Sequence, residues 1–264
     1  MNKPFFSIVV VSLNAETTIA KTINTVLKQT CDDYEIIVKD GLSKDNTIKN
    51  IPQSEKIKLY EKADKSIYDA MNQGIEYANG KFICFLNCGD YFTDEKVLEK
   101  IYETAKDAEE KAIVYGNYIR KGVLFKQAGK TTDFYLYRNH LCHQSMFVAK
   151  AVFEELGAFD LEYKICADYE HTLKSYFGGV QFLYCDYPVC DYMGEGVSES
   201  EKGKILRSEE RNKIIKKYYS KQEIAKNELK LKLSMKKFRQ LMISDKSPKW
   251  VRNLYRYIVN RVNR

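Results

Sequence analysis

Residues 61 to 90 hold the densest set of side chains able to do chemistry. Asp64 and Lys65 precede Asp69 and Asn72, and the apolar run Phe82–Leu86 then releases Asn87-Cys88-Gly89-Asp90. A buried strand that ends in an Asp-bearing turn places a carboxylate on the rim of an α/β sheet, where such sheets bind ligands. A hard oxygen ligand there suits a divalent cation bridging a diphosphate. Asp69 and Asn72, at i and i+3, share a helix face, and Asn72 reads as a tie between backbone segments. Plainer roles compete. Lys65 is equally a solvated surface charge, and Asp90 could cap the following helix, although Thr93 or Asp94 suits that start better.

Other acidic and metal-capable positions are more ambiguous. Asp40-Gly41 reads as a turn and Asp45 as a helix cap, while Asp168 stands where a helix begins. His140, Cys142 and His143 form an H-x-C-H spacing without a fourth ligand, so zinc is not expected. The seven cysteines are an odd number without a C-x-x-C pair. Free thiols point to a reducing compartment.

The elements that must position these groups alternate in type. Strands are expected at Phe5–Val11, Tyr34–Val38, Ile57–Tyr60, Lys81–Leu86 and Ala112–Tyr115. Helical patterns fall at Thr17–Gln29, Thr47–Ile51, Ile67–Ala78 and 94–110. Repeated βα units imply a mostly parallel sheet covered on both faces. The pattern then loosens into hairpin-like pieces at Tyr118–Arg120 and Val123–Lys126. A strand Met146–Val148, helices near Ala151–Leu156 and Asp168–Tyr176, and a strand Phe182–Tyr187 follow. Lys3 before Phe5–Val11 could suggest a signal peptide, but the run is short and lacks a cleavage site, so a buried first strand is expected. No stretch approaches the ~20 apolar residues of a membrane span, which predicts a soluble or peripheral protein.

Charge divides the chain. Residues 201–264 hold 20 Lys and Arg against 6 Asp and Glu, a net +14, which leaves 23 against 30, or −7, before them. The segment 204–243 reads as helices packed on the body, with Ile214, Ile224, Leu231, Met235, Phe238 and Met242 at near-heptad steps. After Ser247-Pro248, residues Trp250, Leu254, Ile258 and Val262 recur at i+4, with Arg252, Arg256, Asn260, Arg261 and Arg264 opposite. That is a cationic amphipathic helix suited to an anionic membrane surface.

Taken together, these motifs resemble the family 2 glycosyltransferases of bacterial surface-polysaccharide synthesis, in particular the smaller colanic-acid-type members. The resembling segments are Ser7–Glu16, Val38–Thr47, the 61–90 stretch, His143-Gln144, and Leu156–Asp160 through Asp168–Glu170. The resemblance implies an α/β fold of the GT-A nucleotide-diphospho-sugar class, a Rossmann-like mostly parallel sheet flanked by helices. Residues 1–115 would be its nucleotide-sugar half, 116–200 its acceptor-side half, and 201–264 a basic helical extension. It implies that Ser12, Asn14 and Glu16 lie by the nucleoside and that Asp40 accepts from the base, commonly uracil. Asp64 and Lys65 would approach the sugar and diphosphate, with Asn87 and His143 in the donor pocket. Asp90 matches the metal-binding carboxylate of the family's D-x-D turn, whose other acidic positions are here Asn87 and Gly89. Asp168 matches the catalytic base, with Glu170 as the fallback.

The implied activity is that of an inverting, non-processive hexosyltransferase using Mg2+ or Mn2+. It would move a sugar from a nucleotide-diphosphate donor, expected to be UDP-linked, to a hydroxyl of a lipid-linked or growing glycan of capsule, lipopolysaccharide or exopolysaccharide. Its expected place is the cytoplasm, peripheral at the inner face of the cell membrane. The absence of membrane spans and of a Q-x-x-R-W signature argues against a processive synthase. A sugar nucleotidyltransferase would need a glycine-rich loop where Ser12–Glu16 stands. A nucleic-acid-binding protein acting through the basic tail leaves Asp40, Asp90 and Asp168 without a role and is not expected. A catalytically impaired scaffold is the other alternative, given Asn87 and Gly89.

Overall fold

The computed structural model describes residues 3–193, 200–234, 242 and 248–262. Strand β1 (Phe6–Ser12) is buried along its whole length. It lies between β2 (Tyr34–Asp40) and β4 (Phe82–Asn87), parallel to both, and β3 (Ile57–Glu61) extends the parallel set beyond β2. Strands covered on both faces need no polar alternation, which is why β1 and β4 read as near-continuous apolar runs, while β2 keeps only Ile36–Val38 unbroken. Helices α1 (Ile19–Leu27), α2 (Ile67–Tyr77) and α3 (Val97–Ala105) supply the crossovers. Gly74 lets α2 lie close on β1, since a Cβ there would stand 2.4 Å from Val9 Cγ1.

Beyond β4 the sheet changes character. Its order is β3-β2-β1-β4-β8-β6-β9-β5, with β5 (Tyr91–Phe92), β6 (Ala112–Arg120), β8 (Met146–Ala149) and β9 (Gln181–Tyr192). A further strand, β7 (Val123–Phe125), is hairpinned onto β6. β8 runs antiparallel to both neighbours, whereas β6 and β9 are parallel, so the sheet is mixed in its second half. The strands and helices expected from the sequence are present, with shifted ends. The helix expected over 94–110 starts only at Val97, because the Gln29 amide takes the Leu98 N–H and donates to the Asp94 carbonyl. The stretch 47–51 makes a single 3-10 turn at Ile48–Asn50. The sequence pattern showed neither β5 nor α4 (Asp133–Arg138).

The later helices are α5 (Lys150–Leu156), α6 (Ala167–Phe177), α7 (Glu201–Tyr218), α8 (Lys221–Ser234) and α9 (Lys249–Val262). Ile214 of α7 and Tyr219 belong to the same hydrophobic core as the sheet. Tyr255 of α9 is buried against α8 and donates to the Leu233 carbonyl, while Trp250 and Leu254 are exposed. The side chains of Arg252, Arg256, Arg261 and Arg264, the expected cationic face, lie outside the described residues, as do Met235 and Phe238. Among the described residues no helix is long and apolar enough to cross a membrane.

Candidate active site

Register brings the sequence motifs to one edge. Ser12 pairs with Asp40 and Val11 with Asn87, so β1, β2 and β4 end together, and their carboxyl-terminal loops share the rim. Two of those loops are zipped to each other. The Asn14 side chain accepts from Lys44 N–H at 2.9 Å, and Asn14 N–H donates to Ser43 Oγ. Glu16 Oε2 accepts from both the backbone and the side chain of Asn46. Asn14 and Leu42 carry positive φ, backbone strain that these bonds hold in place.

Asp40 lies at the root of this zipper. It has no exposed surface, and its oxygens accept from Ser12 Oγ at 2.8 Å, Ser43 N–H at 2.7 Å and Ser43 Oγ at 2.7 Å. A carboxylate so enclosed shapes the loop Gly41–Asp45. Ser12 is nearly as buried. Beneath them the Lys39 ammonium, fully buried, pairs with Asp64 Oδ2 at 2.8 Å and donates to the Asp40 carbonyl. Gly41 faces that Asp64 oxygen, which a Cβ would approach to 2.7 Å. Lys65 is exposed beside them. Asn72 bonds the backbone of Phe159 through both its amide groups, a tie between segments as expected.

The second cluster joins β4 to α6. Gln144 Nε2 donates to Asp90 Oδ2 at 3.1 Å, and the adjacent His143 meets Asp168 Oδ2 through Nδ1 at 3.2 Å. The Asn87 amide stands 3.4 Å from His143 Nε2. Asp168 Oδ1 also accepts from the Tyr68 hydroxyl at 3.0 Å. Helix α6 is not capped by Asp168, for Cys166 occupies the N-cap position. The two clusters are neighbours: burial, and then the charges of Asp40 and Asp90, push the intervening Cys88 thiol up to about 12. Glu170 is elsewhere. It is fully buried on the far side of α6 against Lys217 and Tyr218 of α7, so it is no substitute for Asp168.

Electrostatics separates the two rim carboxylates. Burial raises Asp90 above the usual carboxylate range, and the bonds from Gln144 and the Met193 N–H do not offset it. Burial would raise Asp168 too, but the hydrogen bond and charge of His143 outweigh it and hold the group below that range. His143 responds in the opposite sense. Burial opposes its charged form, yet the bond to Asp168 and that carboxylate's charge raise it. One buried acid is therefore costly when ionised, and the other is kept ionised.

For a divalent cation the turn supplies Asp90 Oδ1, which Gln144 does not occupy, and the Asn87 amide oxygen, buried and without a hydrogen-bond partner among the described residues. Among the described residues there is no group of three or more His, Cys, Asp or Glu able to hold a metal. The donors fit a hard cation whose remaining positions are filled by phosphate and water. Sequence reasoning overlooked Lys39, Ser43 and Tyr68. A lysine closing a buried strand signals a hidden acidic partner, but only the fold identifies that partner as Asp64.

Residues 7–153, more than half of the chain, match the model described as Glycosyl transferase family 2. A PGL/p-HBAD biosynthesis glycosyltransferase of Mycobacterium bovis is 30% identical over 182 residues, covering 67% of this chain and 71% of the relative. The UDP-Glc:alpha-D-GlcNAc-diphosphoundecaprenol beta-1,3-glucosyltransferase WfgD of Escherichia coli is 36% identical over 121 residues, 45% of this chain and 47% of WfgD. Among solved structures, S. aureus TarS in complex with UDP-GlcNAc superposes with a TM-score of 0.66 at 16% identity, covering 91% of this chain and 76% of that one. The mannosyltransferase PcManGT of Pyrobaculum calidifontis, in complex with GDP-Man and Mn2+, gives 0.63 at 14% identity over 100% and 85%. These structural likenesses concern the fold, a mixed α/β sheet of the GT-A kind.

Proposed function

The chain belongs to glycosyl transferase family 2, and we propose that it transfers a sugar, with inversion, from a UDP-linked donor to a hydroxyl of a lipid-linked or growing surface glycan. The observation that carries this reading is the pair Asp168–His143, set beside Gln144–Asp90 on the rim where β1, β2 and β4 end. WfgD, by its name, uses a UDP-sugar and a diphosphoundecaprenol-linked acceptor, and that chemistry supports the donor and acceptor classes proposed here.

Inversion needs a base on the face opposite the leaving group. Asp168, kept ionised by His143, takes the acceptor's hydroxyl proton as the new bond to the anomeric carbon forms. The bond from that carbon to the diphosphate oxygen breaks with its electron pair, and the nucleoside diphosphate departs. Asp90 and Asn87 would hold Mg2+ or Mn2+, which would supply charge stabilisation to the departing diphosphate on the order of several kcal/mol. Asp64 and Lys65 edge the donor side. Asp40 acts on the nucleoside indirectly, by holding the loop Gly41–Asp45 in which Ser43 is bonded to it.

The test is a panel of UDP-, dTDP- and GDP-sugars with Mg2+ or Mn2+, scored by nucleotide release. A UDP-sugar should be preferred, and Asp168→Asn should lower turnover by roughly 10²–10⁴-fold. Full activity in Asp90→Ala sinks the metal assignment. Absence of both turnover and binding for every donor leaves the impaired-scaffold alternative. Helix α9 supports a second partner, an anionic membrane surface, through its exposed Trp250 and Leu254 and the arginines of its sequence.

A further inference from the structure

Helix α7 lies outside the matched family region, 7–153, yet it reaches the second cluster. Glu210, on its inward face and only 8% exposed, spends both carboxylate oxygens on consecutive backbone groups. Oε1 accepts from Lys164 N–H at 2.7 Å, and Oε2 from Ile165 N–H at 3.0 Å and Cys166 N–H at 2.9 Å. These are the residues that lead into α6. The peptide unit between Ile165 and Cys166 is gripped from both ends, because its carbonyl accepts from the Tyr68 hydroxyl at 2.8 Å. That same hydroxyl stands 3.0 Å from Asp168 Oδ1. A single hydroxyl proton is thus shared between a carbonyl whose orientation Glu210 sets and the carboxylate assigned as base.

We propose that Glu210 is a positioning residue for Asp168, acting through the Ile165–Cys166 peptide and the Tyr68 hydroxyl. A carboxylate bonded to that N–H polarises the peptide and fixes its plane, and so fixes where the Tyr68 oxygen rests. Two further residues hold α7 in register. Arg211 donates to the Tyr137 carbonyl and lies over the Tyr169 ring, and Lys217 pairs with Glu170 at 2.7 Å. The basic extension is by this account part of the catalytic unit. The bland alternative is a helix cap supplied in trans, which would contribute stability and nothing to the geometry of the base.

The proposal rests on Asp168 as base, and the experiment separates the two. UDP release from UDP-glucose and UDP-GlcNAc is resolved into kcat and KM, together with the thermal midpoint, in the wild type, Glu210→Gln, Glu210→Asp, Tyr68→Phe, the Glu210→Gln/Tyr68→Phe double variant and Asp168→Asn.

Glu210→Gln should reduce kcat about tenfold or more with little change in donor KM. In the Tyr68→Phe background the same change should lower kcat little further, because the hydroxyl it acts through is gone. Glu210→Asp should lie between, and Glu209→Gln, on the exposed side, should match the wild type. Wild-type kcat in Glu210→Gln, or a loss of about tenfold repeated in full in the Tyr68→Phe background, overturns the proposal, whatever happens to the thermal midpoint. If Glu210→Gln does not fold, wild-type kcat in Glu210→Asp has the same force. Full turnover in Asp168→Asn instead removes the base itself, and the positioning role falls with it.

Discussion

Asp90, buried, and Asp168, part-buried with 14% of its side chain exposed, are carboxyl groups near one histidine, and they are displaced in opposite directions. The difference is the distance to charge. Asp168 touches His143, whereas Asp90 is met by the neutral Gln144 amide. The depressed Asp168 group contributes stability above the ordinary carboxylate range, and this is lost as pH falls through its folded value. The raised His143 group contributes below its ordinary value, lost as pH rises through its folded one. Between the two the pair is intact. His143→Ala leaves the part-buried Asp168 without its cation, so the acid limb of the kcat/KM profile should move to higher pH, as a pH–rate series will show. Asp90 has the opposite sign: being raised, it costs stability above its folded value. Asp90→Asn should lift the thermal midpoint by a few degrees, on the order of 1 kcal/mol, while abolishing any Mn2+ dependence of turnover.

At the scale of elements, close approach matters more than propensity. Alanine is intrinsically the better helix former, yet Gly74→Ala on α2 should destabilise the protein by about 1–3 kcal/mol, read from urea unfolding. The added Cβ collides with Val9 of the central strand, and α2 carries both Tyr68 and Asn72. Strands β1 and β4 were legible because a buried parallel strand announces itself as a near-continuous apolar run with turn residues after it, and β2 and β3 because shorter apolar clusters stand between turn residues. β5 and α4 were not, since a two-residue strand and a six-residue helix hold too few residues to display a period. The role of Asp40 was half legible. Its place at a strand end followed from sequence, but its bond to Ser12 joins strand ends 28 residues apart in the chain.

For the whole molecule, the unequal charge of the two segments suggested a body with an appended tail. Helix α7, within the segment expected to pack on the body, joins the common core through Ile214 and is bonded to both sides of α6. Helix α9 differs, resting on α8 through Tyr255 with Trp250 outward. Truncation after Asp245 should therefore leave donor hydrolysis intact and abolish sedimentation with anionic liposomes, an interaction that salt should weaken. Truncation before Glu201 should abolish turnover as well. Unchanged liposome binding by the shorter chain would remove the membrane role.

The amino-acid order alone determined the run of strands and helices and the carboxylates at strand ends, because local periodicity and turn chemistry are written in neighbouring residues; the family followed from the resemblance of whole motifs. Only the tertiary structure decided which groups share a hydrogen bond or a charge: Lys39 with Asp64, Gln144 with Asp90, His143 and Tyr68 with Asp168, Glu210 with the strap before α6. Those pairings set burial and ionisation, and both depend on distances between residues that the chain keeps far apart.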